Sequence, residues 1–170
     1  TTPLRSSAAS DVYKRQLEGI LNLKPEFTTL HISGGSEMIR ECVNVKNSYQ
    51  SQTNLIGVTV LTSFDEDRIK EVGIHNSIDE QVLILAKLAN ENNLDGIVCS
   101  PQEIRRIKQE TENKLKLIVP GIRNIDDDTN DQKRTMNASE AINAGADILV
   151  IGRPITMAND PAEAAYKIFK

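Results

Sequence analysis

Five short runs of largely apolar residues recur along this chain, and each is followed by a longer segment whose apolar residues fall at helical spacing. The runs are residues 28–32 (TTLHI), 55–61 (LIGVTVL), 96–99 (GIVC), 115–119 (LKLIV) and 148–151 (ILVI). A strand with water on one face alternates polar and apolar side chains; runs without that alternation need cover on both faces, which a parallel sheet flanked by helices provides. The intervening segments read as helices over residues 36–45, 65–72, 78–92, a stretch opened by Pro101, 138–144, and a final one from residue 161. In the longest of these, Ile78, Val82, Leu85 and Ala89 share one side, and a proline at Pro101 suits the first turn of a helix.

Strand followed by helix, repeated, defines an α/β fold and leaves two architectures, an open doubly wound sheet or a (β/α) barrel. No G-x-G-x-x-G follows the first run, which weakens the dinucleotide-binding form of the open sheet. A closed barrel takes eight units and typically about 250 residues. With 170 residues and five units, the chain is an open sheet or part of a barrel.

Composition narrows the function. Hydrophobic residues at 39% and charged residues at 26% suffice for a single packed domain. A net charge of −4 lacks the basic footprint of a general nucleic-acid binder. No apolar run approaches the roughly 20 residues that span a bilayer, so no membrane role is expected. Cys42 and Cys99 form no C-x-x-C and are too few for a disulfide framework, which favours a reducing, cytoplasmic setting. Residues 1–16 (TTPLRSSAASDVYKRQ) show no sustained period and lack the apolar stretch of a secretory signal. They read as a poorly ordered leader unrelated to a domain covering residues 17–170.

Ligand groups in α/β folds cluster just past the carboxyl ends of strands. Those positions hold Ser33-Gly34-Gly35, Thr62-Ser63, Ser100, Pro120-Gly121-Ile122-Arg123 and Gly152-Arg153-Pro154. The last two place a glycine and then an arginine after consecutive strands. Glycine admits a ligand close to the backbone, and arginine offers a forked, permanently charged donor set suited to phosphate. The competing reading is that Arg123 and Arg153 cap strand ends and pair with surface carboxylates. Residues 124–136 (NIDDDTNDQKRTM) form a long polar connection, either a binding loop or a solvated link. His31 and His75 have no metal-ligand spacing around them and read as structural. Asp126, Asp127 and Asp128 lack the rest of an EF-hand loop and read as a solvated acidic stretch.

In chain order, HISGGSEMI, LIGVTVLTS, LDGIVCSPQE, LIVPGIR, DQKRTM and GADILVIGRPIT resemble the bacterial-type orotidine 5′-phosphate decarboxylase family from about Leu17 to Phe169. The resemblance implies a (β/α)₈ TIM barrel, working as a homodimer. It also implies removal of the carboxylate of orotidine 5′-monophosphate to give UMP, without metal or organic cofactor. By the same resemblance Thr62 touches the pyrimidine ring, Arg123, Gly152 and Arg153 hold the 5′-phosphate, and Gln132 bridges base and phosphate. The family's D-x-K-x-x-D, which supplies the catalytic lysine, has no match in these 170 residues. The five units therefore correspond to the last five of eight, and the chain is expected to be a decarboxylase lacking its front. Two other readings remain: an inactive nucleotide- or phosphate-binding remnant, and a sugar-phosphate aldolase or epimerase on the same barrel plan.

Overall fold

The computed structural model describes residues 8–123 and 135–168. Five strands, β1 (Phe27–His31), β2 (Asn54–Val58), β3 (Gly96–Val98), β4 (Lys116–Val119) and β5 (Ile148–Leu149), form one sheet in the order β1-β2-β3-β4-β5. Every neighbouring pair is parallel. The helices are α1 (Ala8–Asn22), α2 (Gly35–Ser48), α3 (Arg68–Glu71), α4 (Ile78–Glu91), α5 (Ile104–Glu110), α6 (Ala138–Ala144), α7 (Arg153–Thr156) and α8 (Pro161–Ile168). Parallel crossovers are right-handed almost without exception. Because the spatial order never reverses, every crossover falls on the same face. A doubly wound sheet needs a reversal, so the arrangement is that of a barrel wall.

The register sorts the strand residues into two faces. Leu55, Ile97, Leu117 and Val119 lie on the helix side and are fully buried. They pack in one core with Ile39 and Val45 of α2, Val82, Ala86 and Ala89 of α4, Ile104 and Ile107 of α5, and Ala141 of α6. The other face carries Thr29, His31, Ile56, Val58, Val98, Lys116, Ile118 and Ile148, of which Thr29, His31 and Lys116 are exposed. On this open face Lys116 Nζ donates 3.0 Å to Asn54 Oδ1, two strands away. The side chain crosses Gly96, where a Cβ would stand 2.5 Å from the Lys116 carbonyl oxygen. Glycine is required there by the close approach.

At the amino end of the sheet one device appears twice. Asp95, just before β3, accepts from the Leu55 N–H at the start of β2 (2.7 Å) and from Lys46 of α2 (2.6 Å). Asp147, just before β5, accepts from the Leu117 N–H of β4 (2.8 Å) and from Lys108 of α5 (2.8 Å). Each aspartate also donates its own N–H to the carbonyl of the same residue, Leu55 or Leu117. Helix starts are fixed locally as well: Ser77 with Glu80, Ser100 with Glu103, and Asn137 with Glu140 each form a reciprocal capping box.

The structure departs from the sequence reading at several points. The run 55–61 is a strand only as far as Val58; at its end the Thr59 N–H (3.3 Å) makes the last ladder bond to the Val98 carbonyl, which the Thr59 hydroxyl also reaches (2.8 Å). The run 148–151 is a strand only at Ile148–Leu149. Residues 8–16, read as part of a disordered leader, are helical: α1 is anchored by buried Leu17 and Leu21 and propagates backward. Residues 12–16 point into water and so carry no apolar period, although Lys14, Arg15 and Gln16 are good helix formers.

Asp95→Ala leaves the Leu55 N–H and the Lys46 ammonium without their partner. It should cost about 1–3 kcal/mol in urea unfolding, the range for orphaning such groups, whereas Asp67→Ala at an exposed ion pair should stay within about 0.5 kcal/mol. Equal effects would remove the proposed role of the aspartate. Among the described residues both outer strands have a ladder neighbour on one side only, and apolar open edges recruit other chains. The 170 residues expressed alone are expected to sediment as self-associated species; a cooperatively melting monomer would contradict this.

Candidate active site

The two glycine–arginine segments leave the sheet side by side. Val119 and Leu149 are register partners, so Arg123 and Arg153 each stand four residues beyond a matched pair. The Val150 N–H donates 2.9 Å to the Val119 carbonyl and holds the two exits together. Gly121, at φ +80°, takes a left-handed backbone that turns β4 away from the sheet. Beyond it Ile122 pairs with Met136 as an isolated parallel bridge. The Arg123 N–H donates 3.1 Å to the Met136 carbonyl, and the Met136 N–H donates 3.4 Å to the Gly121 carbonyl. The two ends of the long polar connection are thus tied together at its neck.

Arg123 is only 9% exposed, and its Nη1 donates 2.8 Å to the Ile122 carbonyl. That bond bends the guanidinium back towards the strand end. Arg153 is half-buried and is the first residue of α7, directly after exposed Gly152. Two permanently charged side chains thus follow the ends of adjacent strands, and a forked guanidinium suits polyoxygen anions.

Arg123, Gly152 and Arg153 therefore all follow the carboxyl ends of the adjacent strands β4 and β5. Thr62 is not beside them. It is half-buried in the turn after β2, and β3 separates that strand from β4, a distance of about 10 Å at two strand spacings. Gln132 lies outside the described residues, as do Asp126, Asp127 and Asp128. His31, read from sequence as a structural side chain, ends β1 exposed on the open face. Its exposure follows from β1 being an edge strand, which the local pattern does not reveal.

A groove of about 500 Å³ runs along β1, at the far end of the sheet from the arginines, between residues of α1 such as Tyr13 and Leu17 and strand residues Thr28 to His31. Cys42 borders it, but burial pushes its thiol up, with the Glu41 charge adding to the effect, so it is no thiolate nucleophile at neutral pH. Cys99 is buried. Among the described residues no group of three His, Cys, Asp or Glu side chains stands ready for a metal, and no helix is long and apolar enough to cross a membrane.

Comparison with known proteins places the chain in a family. A profile described as "Orotidine 5'-phosphate decarboxylase / HUMPS family" matches residues 9–168. The orotidine 5'-phosphate decarboxylase of Dictyoglomus thermophilum is 45% identical over 160 residues, covering 91% of this chain and 66% of that protein. The one from Ehrlichia chaffeensis is 49% identical over 151 residues, covering 88% and 64%. The chain thus spans slightly less than two thirds of the length of these relatives. In structure, it resembles the Lactobacillus acidophilus orotidine 5'-phosphate decarboxylase with a TM-score of 0.75 at 31% identity, over 94% of this chain and 69% of that one. With a parallel sheet in chain order, paired Gly–Arg exits and a family match along nearly its whole length, the chain belongs to the orotidine 5'-phosphate decarboxylase / HUMPS family.

Proposed function

We propose that this chain supplies the nucleotide-holding side of an orotidine 5′-monophosphate decarboxylase, binding substrate and the product UMP through the 5′-phosphate. The observation that carries this reading is that Arg123 and Arg153 each follow by four residues the register partners Val119 and Leu149 on adjacent strands. Gly152 lets the phosphate approach the backbone between them. Thr62, two strands away, meets the pyrimidine end, and Gln132 spans base and phosphate. A nucleoside monophosphate is long enough to reach from one to the other.

Decarboxylation breaks the bond from pyrimidine C6 to the carboxylate. The electron pair stays on C6, CO₂ departs, and a proton then fills the carbanion. With no electron sink, the reaction relies on fixed charges arranged before the bond breaks and on a nearby proton donor. Phosphate binding, remote from C6, holds the ring in place while that happens. The 170 residues contain no D-x-K-x-x-D, so the proton donor is not assigned to any residue of this chain. That observation favours a second reading, a nucleotide-binding chain without turnover of its own. The active form is a cytoplasmic homodimer without nucleic-acid or membrane partners.

Calorimetric titration with UMP tests the grip. Arg153→Ala should weaken binding by about 1.5–3 kcal/mol, the range for a hydrogen bond to a charged group. Unchanged affinity removes the arginine from the site. An absorbance assay with orotidine 5′-monophosphate separates the two readings. The 170 residues alone should bind without turnover, and adding a family-like segment that bears D-x-K-x-x-D should bring decarboxylation. Turnover by the unaided chain would overturn that expectation.

A further inference from the structure

The register defines a row across the open face of the sheet, next to the carboxyl ends of the strands: His31, Val58, Val98, Ile118 and Ile148. Four members are aliphatic and buried or half-buried; the fifth is an exposed imidazole. Among the described residues nothing hydrogen-bonds to that ring. An apolar surface with one placed polar group is the usual make-up of a small-ligand site.

Position in the barrel gives the imidazole a direction to face. In an eight-stranded barrel, strands four places apart lie on opposite walls. β1 is four places from β5, so His31 lies across the mouth from Arg153. A nucleotide whose phosphate sits between the ends of β4 and β5 extends its base across the aliphatic row towards β1. There the imidazole offers an N–H to a pyrimidine carbonyl, or an acceptor nitrogen to a ring N–H.

We propose that His31 contacts the pyrimidine of the bound nucleotide, completing from the opposite wall the site that Arg123 and Arg153 open; this rests on the nucleotide reading above. His31 selects for the base and adds nothing to the phosphate grip.

The chain has two histidines, so imidazole resonances report on His31 with exposed His75, in the connection between α3 and α4, as internal control. In NMR titrations the His31 signals should shift with UMP and stay still with ribose 5-phosphate, while His75 is unmoved by either. His31→Ala should weaken UMP binding about three- to tenfold, as loss of one hydrogen bond does, and leave ribose 5-phosphate binding unchanged. If UMP binds while the His31 signals stay still, or if both ligands move them alike, the proposal is overturned and the phosphate grip stands. If neither ligand binds, the nucleotide reading falls and the proposal falls with it.

Discussion

Two aspartates fix how the layers of this protein meet. Asp95 and Asp147 each join three things at one point: the start of a neighbouring strand, the loop entering their own strand, and a lysine from a helix on the outer layer. A strand slipped by one residue exchanges its covered and open faces. These contacts anchor β3 to β2 and β5 to β4 at their first residues, so register is set before the strands reach the carboxyl end. The equivalence of Arg123 and Arg153 depends on that anchoring. If β5 shifted along β4 by one position, Val119 and Leu149 would no longer be register partners, and the two exits would leave the sheet at different levels.

Much of this was legible in the sequence, and the parts that were not have physical reasons. Runs such as LIGVTVL signal burial on both faces, but burial does not require ladder bonding; Thr59 to Leu61 leave the sheet while Thr59 and Val60 stay buried. The helix Ala138–Ala144 has the bounds that its pattern implies, with Asn137 capping one end and Gly145 turning left-handed at the other. Residues 12–16 of α1 give no such signal, since residues exposed all round have no apolar side to show. The aspartates stand in the similar strings LDGIV and ADILV, yet a lone Asp before a strand has no meaning until its lysine is brought in from a distant helix.

The candidate site divides in the same way. Glycine and arginine following an apolar run are visible locally, as at Arg123, Gly152 and Arg153. Thr62 and Gln132 were ranked only by resemblance, because a threonine in a turn and a glutamine in a polar stretch look like many others. His31 has no local signal, because its setting comes from its row. Only the pairing of five strands reveals that its neighbours at that level are all aliphatic.

The unbroken strand order also bears on how the chain is made. Each strand pairs with the one synthesised just before it, and each crossover helix packs beside strands that have already emerged. Among the described strands each partner is the next in sequence, so the loops to be closed stay short, which keeps their entropic cost low. Such a chain grows its sheet from the ribosome outward, adding one strand at a time to a surface already formed. The arginine corner, built from the last two strands, is assembled last, when the wall that supports it is already standing.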